Sequence, residues 1–180
     1  MSEPHQTEPH QTRFDSTEFD AKQLDELGGW SLAGVAALAA QAHAGQVDKA
    51  GRPYVEHPAR VARLLADRSE PPLRQALGLL HDTVEDTALT LDRLAQLRLP
   101  PRVVAGVEAL THRPDEPAEA YYARIRVNPD ALAVKFADLD DNSDPERLRR
   151  LDADTRQRLE AKYVHARASL GGPSQAPRRP

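Results

Sequence analysis

Apolar residues recur along most of this chain at intervals of three and four, the period of an amphipathic helix. Leu32, Val35, Ala36, Ala39 and Ala42 share one face. Ser31 stands where its hydroxyl can cap the first turn, so the pattern predicts a helix from Ser31 through about His43. Residues 45–57, marked by Gly45, Gly51 and Pro53, read as a loop. Pro58 suits the first turn of the next helix, whose buried stripe is Val61, Leu64 and Leu65. Pro71 and Pro72 open another, with Leu73, Ala76, Leu77 and Leu80 inside, and it runs into His81 and Asp82. After a turn at Asp86–Leu89 a helix starts at Thr90. Pro100 and Pro101 open one through Leu110, and further helices are expected at Pro117–Val127, Pro129–Asn142 and Asp152–Leu170. No stretch alternates with period two over a useful length, so the expected fold is all-α. One domain is expected over residues 24–170.

Composition supports that reading. Only 4% of the 180 residues are aromatic, and leucine, alanine and valine must do most of the packing, which favours helices. Residues 1–23, with EPHQT written twice, and residues 171–180, GGPSQAPRRP, are too polar and Pro-rich to bury surface, and read as disordered tails. His5 and His10 fall in the first of these and read as solvated. The net charge of −4 does not suggest a nucleic-acid binder. There is no cysteine, so disulfides and thiolate metal sites are excluded and any metal must be held by His and carboxylates. No apolar run is long enough for a membrane span and no secretory signal is visible, so a cytosolic protein is expected. The last helix carries Leu159, Tyr163, Ala166 and Leu170 on one side. Packing on the domain's own core is the expected use, with a homodimer contact as the other one open to it.

The chemistry gathers around LLHDTVEDT. Adjacent His81 and Asp82 at a helix end present imidazole and carboxylate about 100° apart, close enough to chelate one ion. Glu85 and Asp86 follow each of them at i+4, on the same side. Four ionisable groups after an apolar face need something cationic to neutralise them. His57, directly before Pro58, can point past a helix end. Asp138 closes the apolar run ALAVKFAD, with Asn142 at i+4. Two His and two Asp form a mixed nitrogen and oxygen set suited to Mn, Fe or another borderline divalent ion. By contrast, His43 reads as a packing residue, His112 and His165 as surface residues, and Asp140, Asp141 and Asp144 as a solvated acidic helix end.

The blocks HAGQ, GRPYVEHP, LLHDTVEDT and VKFADLDDN, in that order from about Ala42 to Asn142, resemble the HD-domain hydrolases of the stringent response. These include the hydrolase half of Rel/Spo-type enzymes and the stand-alone small alarmone hydrolases. The resemblance implies an all-helical HD bundle with a Mn(II)-type centre whose ligands are His57, His81, Asp82 and Asp138. It implies that Glu85 and Asp86 are the acidic pair around the attacking water, and that Asn142 lies near the bound nucleotide. Lys49 and Lys135 are candidates for screening phosphate charge. The reaction implied is removal of the 3′-pyrophosphate of guanosine tetra- or pentaphosphate. The chain departs from the pattern at Asp48, Leu139, Ser143 and Asp144, where those hydrolases place basic residues, so fewer cations are expected around the pocket. Two other readings stay open: an HD phosphohydrolase for another nucleotide or phosphorylated metabolite, and a catalytically silent HD module that binds a nucleotide or a partner helix.

Overall fold

In the computed structural model, which describes residues 24–48 and 51–171, the apolar stripes converge on one helix. Helices α1 (Leu32–Ala42) and α2 (Glu56–Asp67) precede it, and α3 (Pro72–Leu80) is that helix. Leu73 and every residue from Ala76 to Leu80 are buried, so the C-terminal half of α3 is apolar on all sides, as only a helix end enclosed by others can be. α1 and α2 pack on it, as do α6 (Pro101–Leu110) and α8 (Pro129–Asn142). Between α3 and α6 lie a single turn, α4 (Thr83–Asp86), and α5 (Leu91–Gln96). α7 (Ala118–Arg126) leads into α8, a single turn α9 (Pro145–Leu148) follows, and α10 (Ala153–Ser169) closes the described chain.

Local chemistry sets most of these boundaries. Ser31, Thr90, Asn128, Asp144 and Asp152 each accept a backbone N–H in the first turn that follows them. Pro72, Pro101, Pro129 and Pro145 each occupy a first turn, where a missing N–H costs nothing. The predicted helices are all found within a residue or two, and the all-α expectation holds. The turns α4 and α9 were not anticipated, because four residues carry too little periodicity to read. α2 begins at Glu56, so His57 lies inside its first turn rather than ahead of it. Gly171 follows α10 with φ of 75°, as the double-glycine stop implies. The remainder of the two tails, with His5 and His10, and Lys49 lie outside the described residues.

Among the described residues there is no β-strand; an isolated bridge between Val47 and Pro53 closes the loop ahead of α2. No described helix is long and apolar enough to cross a membrane. α10 packs on α7 and α8, with Ala166 and Leu170 buried and Tyr163 half-buried against the core. Acidic side chains tie the bundle together. Buried Asp130, in the first turn of α8, accepts from Arg74 on α3 and Arg102 on α6. Asp140 pairs with Arg68 after α2 and with Arg167 on α10.

The central helix tolerates no added bulk. A Cβ at Gly106 on α6 would overlap both methyl groups of Leu77, and Leu77 is fully buried. Gly106→Ala is therefore expected to destabilise the fold by about 1–3 kcal/mol, read from the urea unfolding midpoint. An unchanged midpoint would mean that Leu77 has room to move.

Candidate metal centre

Because the C-terminal half of α3, from Ala76 to Leu80, is buried, the residue that ends it is delivered into the interior. That residue is His81, 2% exposed. The chain breaks its helical course there, with Asp82 heading the short α4. His57 enters from the first turn of α2 and Asp138 from the last turns of α8, where Val134 and Ala131 continue the same face into the core. His57 Nε2 lies 3.2 Å from Asp138 Oδ1 and 3.5 Å from Asp82 Oδ2. His81 Nε2 lies 3.0 Å from Asp82 Oδ2 and 3.8 Å from Asp138 Oδ1. Ligand atoms of His57, His81 and Asp138 all fall within 4.8 Å of one another, and Asp82 touches both imidazoles. Three separate stretches of sequence thus bring two nitrogens and two oxygens towards one point.

The far sides of both rings are occupied. His81 Nδ1 donates to the carbonyl of Gly78 at 2.8 Å, and a carbonyl can only accept, so Nδ1 carries the proton of the neutral ring. His57 Nδ1 donates to Asp141 Oδ2 at 2.7 Å. Each neutral imidazole therefore turns a lone pair of Nε2 towards the carboxylates, the arrangement that metal-ligating histidines adopt. His81 Nε2 is buried and makes no hydrogen bond, although the Asp82 oxygen is close enough for one. Two acceptors and a misaligned nitrogen around one point fit a divalent cation better than they fit each other.

Charge leads to the same chemistry. Burial opposes a charged imidazole at both positions. At His57 the Asp138 and Asp141 carboxylates outweigh it and raise the pKa above the usual value. At His81 burial is again overcome, by Asp82 and Asp138, and the pKa stands well above normal. Burial favours protonated carboxyls, yet His81 brings Asp82 down to about 2. Lys135, with the two imidazoles, holds Asp138 well below the carboxylate range. The carboxylates demand positive charge here, and protons or a divalent cation each supply it.

Around this centre the other expected residues take distinct places. Lys135 donates to Asp138 Oδ2 at 2.8 Å and lies over the Tyr121 ring, so its ammonium is engaged with the Asp138 carboxylate. Asn142 Nδ2 donates to Asp138 Oδ1 at 2.5 Å. Glu85 and Asp86 are exposed on α4; Glu85 Oε2 accepts the backbone N–H of His112 at 2.7 Å. Tyr54 was not singled out from the sequence. Its hydroxyl donates to Asp82 Oδ2 at 2.6 Å and reaches Asp86 Oδ2 at 3.1 Å. Burial and then these two carboxylates raise its pKa, so it remains a phenol donor. Its place three residues before His57 was the available signal. His43 is buried as expected, its ring tilted 43° against that of Tyr54 at 4.9 Å between centroids, and it binds Gln46, whose amide holds the Asp86 carbonyl. His112 and His165 are exposed, as expected.

The acidic end of α8 is a correction. Asp140, Asp141 and Asp144 are not a solvated cluster: Asp141 is 5% exposed beneath His57, Asp140 joins Arg68 to Arg167, and Asp144 caps α9. Arginines from α2 and α10, distant in sequence, neutralise the first two. The pocket is also less poor in cations than expected. A cleft of about 830 Å³ opens beside His57, Tyr54 and Asn142, and Arg52, Arg60, Arg63, Arg147 and Arg150 line it. Arg63 and Arg150 have no ion-pair partner among the described residues. Asp48 lies on its wall, whereas Leu139 is buried in the core.

Comparison with known proteins gives the family of the chain. The HD domain family matches residues 36–130, just over half of the chain. A probable GTP pyrophosphokinase of Mycobacterium leprae (strain TN) is 44% identical over 59 residues, 33% of this chain and 8% of that one. The GTP pyrophosphokinase of Brucella ovis (strain ATCC 25840 / 63/290 / NCTC 10512) is 41% identical over 73 residues, 41% of this chain and 10% of that one. The chain thus spans about a tenth or less of the length of these curated relatives. Among solved structures, a metazoan SpoT ortholog described as hydrolysing ppGpp is similar at a TM-score of 0.65 and 22% identity, over 80% of this chain and 87% of that one. With the family matched across α3 and the His81–Asp82 pair, the chain belongs to the HD-domain family.

Proposed function

We propose that this chain is a metal-dependent phosphohydrolase of the cytosol that acts on guanosine 3′,5′-bis(diphosphate) or a close relative, removing the 3′-pyrophosphate. The working unit is residues 24–170, and the ligands are His57, His81, Asp82 and Asp138. The observation that carries the reading is the buried Nε2 of His81, which makes no hydrogen bond and faces carboxylates from α4 and α8. Manganese is the ion proposed first, because the donor set mixes imidazole and carboxylate. When bound, such a cation polarises a phosphoryl oxygen and lowers the pKa of water. The guanidinium groups of the cleft suit a phosphate-rich ligand.

The chain's own residues then divide the work. Lys135 and Asn142 hold the Asp138 carboxylate in place from two sides. Tyr54 holds Asp82 and Asp86 together through one hydroxyl. Glu85 and Asp86, exposed on α4, are assigned to orient the attacking water and take its proton. A second reading, hydrolysis of another nucleotide or phosphorylated metabolite, is favoured by Asp48 on the cleft wall, where an acidic residue suits a less highly phosphorylated substrate better than a tetraphosphate.

Three outcomes are expected. Mn(II)-loaded protein offered the alarmones, nucleoside monophosphates and dinucleotide phosphates should release pyrophosphate from the alarmones. Orthophosphate release from another substrate selects the second reading, and inactivity with no metal by elemental analysis sinks both. His81→Ala should abolish metal loading, whereas Glu85→Ala should keep the metal and lose about 10²–10⁴-fold in turnover; normal turnover in Glu85→Ala would remove its assigned role. Finally, a bound cation needs Nε2 of both histidines deprotonated, and both pKa values are raised. Apparent Mn(II) affinity should therefore weaken as pH falls, beginning above pH 6.5, when measured by electron paramagnetic resonance of free Mn(II). A flat profile from pH 6 to 8.5 would contradict it.

A further inference from the structure

Three residues beyond Asp138, α8 carries a second buried carboxylate on the opposite side of the His57 ring. Asp141 Oδ2 accepts from His57 Nδ1 at 2.7 Å and from Arg147 Nη1 at 2.9 Å. Its Oδ1 accepts from Arg60 Nε at 2.6 Å, and Arg60 Nη2 reaches Oδ2 at 3.2 Å. The carboxylate is thus held by α2 and α9 while it sits on α8, with its plane fixed by a two-pronged guanidinium. Two arginines alone would satisfy its charge, so the bond to the imidazole has a separate chemical consequence.

That consequence follows from comparing the two rings. The outer partner of His81 is a neutral carbonyl, whereas that of His57 is an anion. An anion on Nδ1–H fixes the tautomer, locks the ring plane and pushes electron density towards Nε2, which strengthens it as a donor. We propose that Asp141, braced by Arg60 and Arg147, is the positioning residue of the centre: acting through His57, it sets the affinity of the site for a divalent cation. This rests on the reading of His57 as a ligand.

The test is Mn(II) titration of the full chain into the millimolar range, followed by electron paramagnetic resonance, with unfolding midpoints recorded for each variant. Asp141→Ala is expected to bind Mn(II) about 10–100-fold more weakly. Asp141→Asn, which keeps an acceptor but loses the charge, should fall between it and wild type, and it carries the test if the alanine variant does not fold. Because Asp141 acts only through His57, adding Asp141→Ala to His57→Ala should weaken binding no further. Wild-type affinity in Asp141→Ala, or a double variant weakened by the full extra factor, would overturn the inference while leaving the metal centre intact. Unchanged affinity in His57→Ala, or no Mn(II) uptake by wild type, would instead remove the centre itself and the inference with it.

Discussion

The structure depends on an apolar helix that ends inside the protein. α3 is enclosed by α1, α2, α6 and α8, so His81 and Asp82, the next residues in the chain, have nowhere to go but the interior. Buried ionisable groups are tolerated only when paired and hydrogen-bonded. Every other feature of the centre answers that demand. His57 and Asp138 come in from neighbouring helices, Gly78 and Asp141 occupy the outer nitrogens of the rings, and Lys135 and Asn142 take the outer faces of Asp138.

Acid–arginine pairing repeats across the bundle with different consequences. Asp130 ties α8 to α3 and α6, and Asp140 ties it to α10 and the end of α2. Pairs on a buried carboxylate such as Asp130 add little net stability over apolar packing, but removing their arginines strands a charge. They fix where α8 lies, and α8 supplies Asp138, Asp141 and Asn142. Asp141 belongs to both systems, since its arginines brace the helix and its bond to His57 reaches the centre.

The cleft next to the centre takes its charge from residues far apart in sequence. Arg52, Arg60 and Arg63 come from the loop and α2, and Arg147 and Arg150 from α9 and the residues after it. Arg60 and Arg147 are committed to Asp141, and Arg52 to Glu56, whereas Arg63 and Arg150 face the cleft without an ion-pair partner among the described residues. Its arginines thus come from two distant stretches of the chain rather than from the residues next to Asp138 in sequence.

The sequence by itself determined the helices, because their period, caps and prolines act within one or two turns. It also exposed His81–Asp82 with Glu85 and Asp86, since all four lie within six consecutive residues. His57 and Asp138 could be named as candidates from their places beside helix ends, but relating them to the pair rested on the family likeness, because no local spacing relates three distant stretches. Only the tertiary structure decided what Asp141, Tyr54 and the arginines do. Asp141 looks like any acidic residue at a helix end until α2 and α9 bring up His57, Arg60 and Arg147. Leu139 looks like a vacant cation position until packing turns it into the core. The physical reason is range: helix formation is local, while desolvation and charge pairing depend on which surfaces meet.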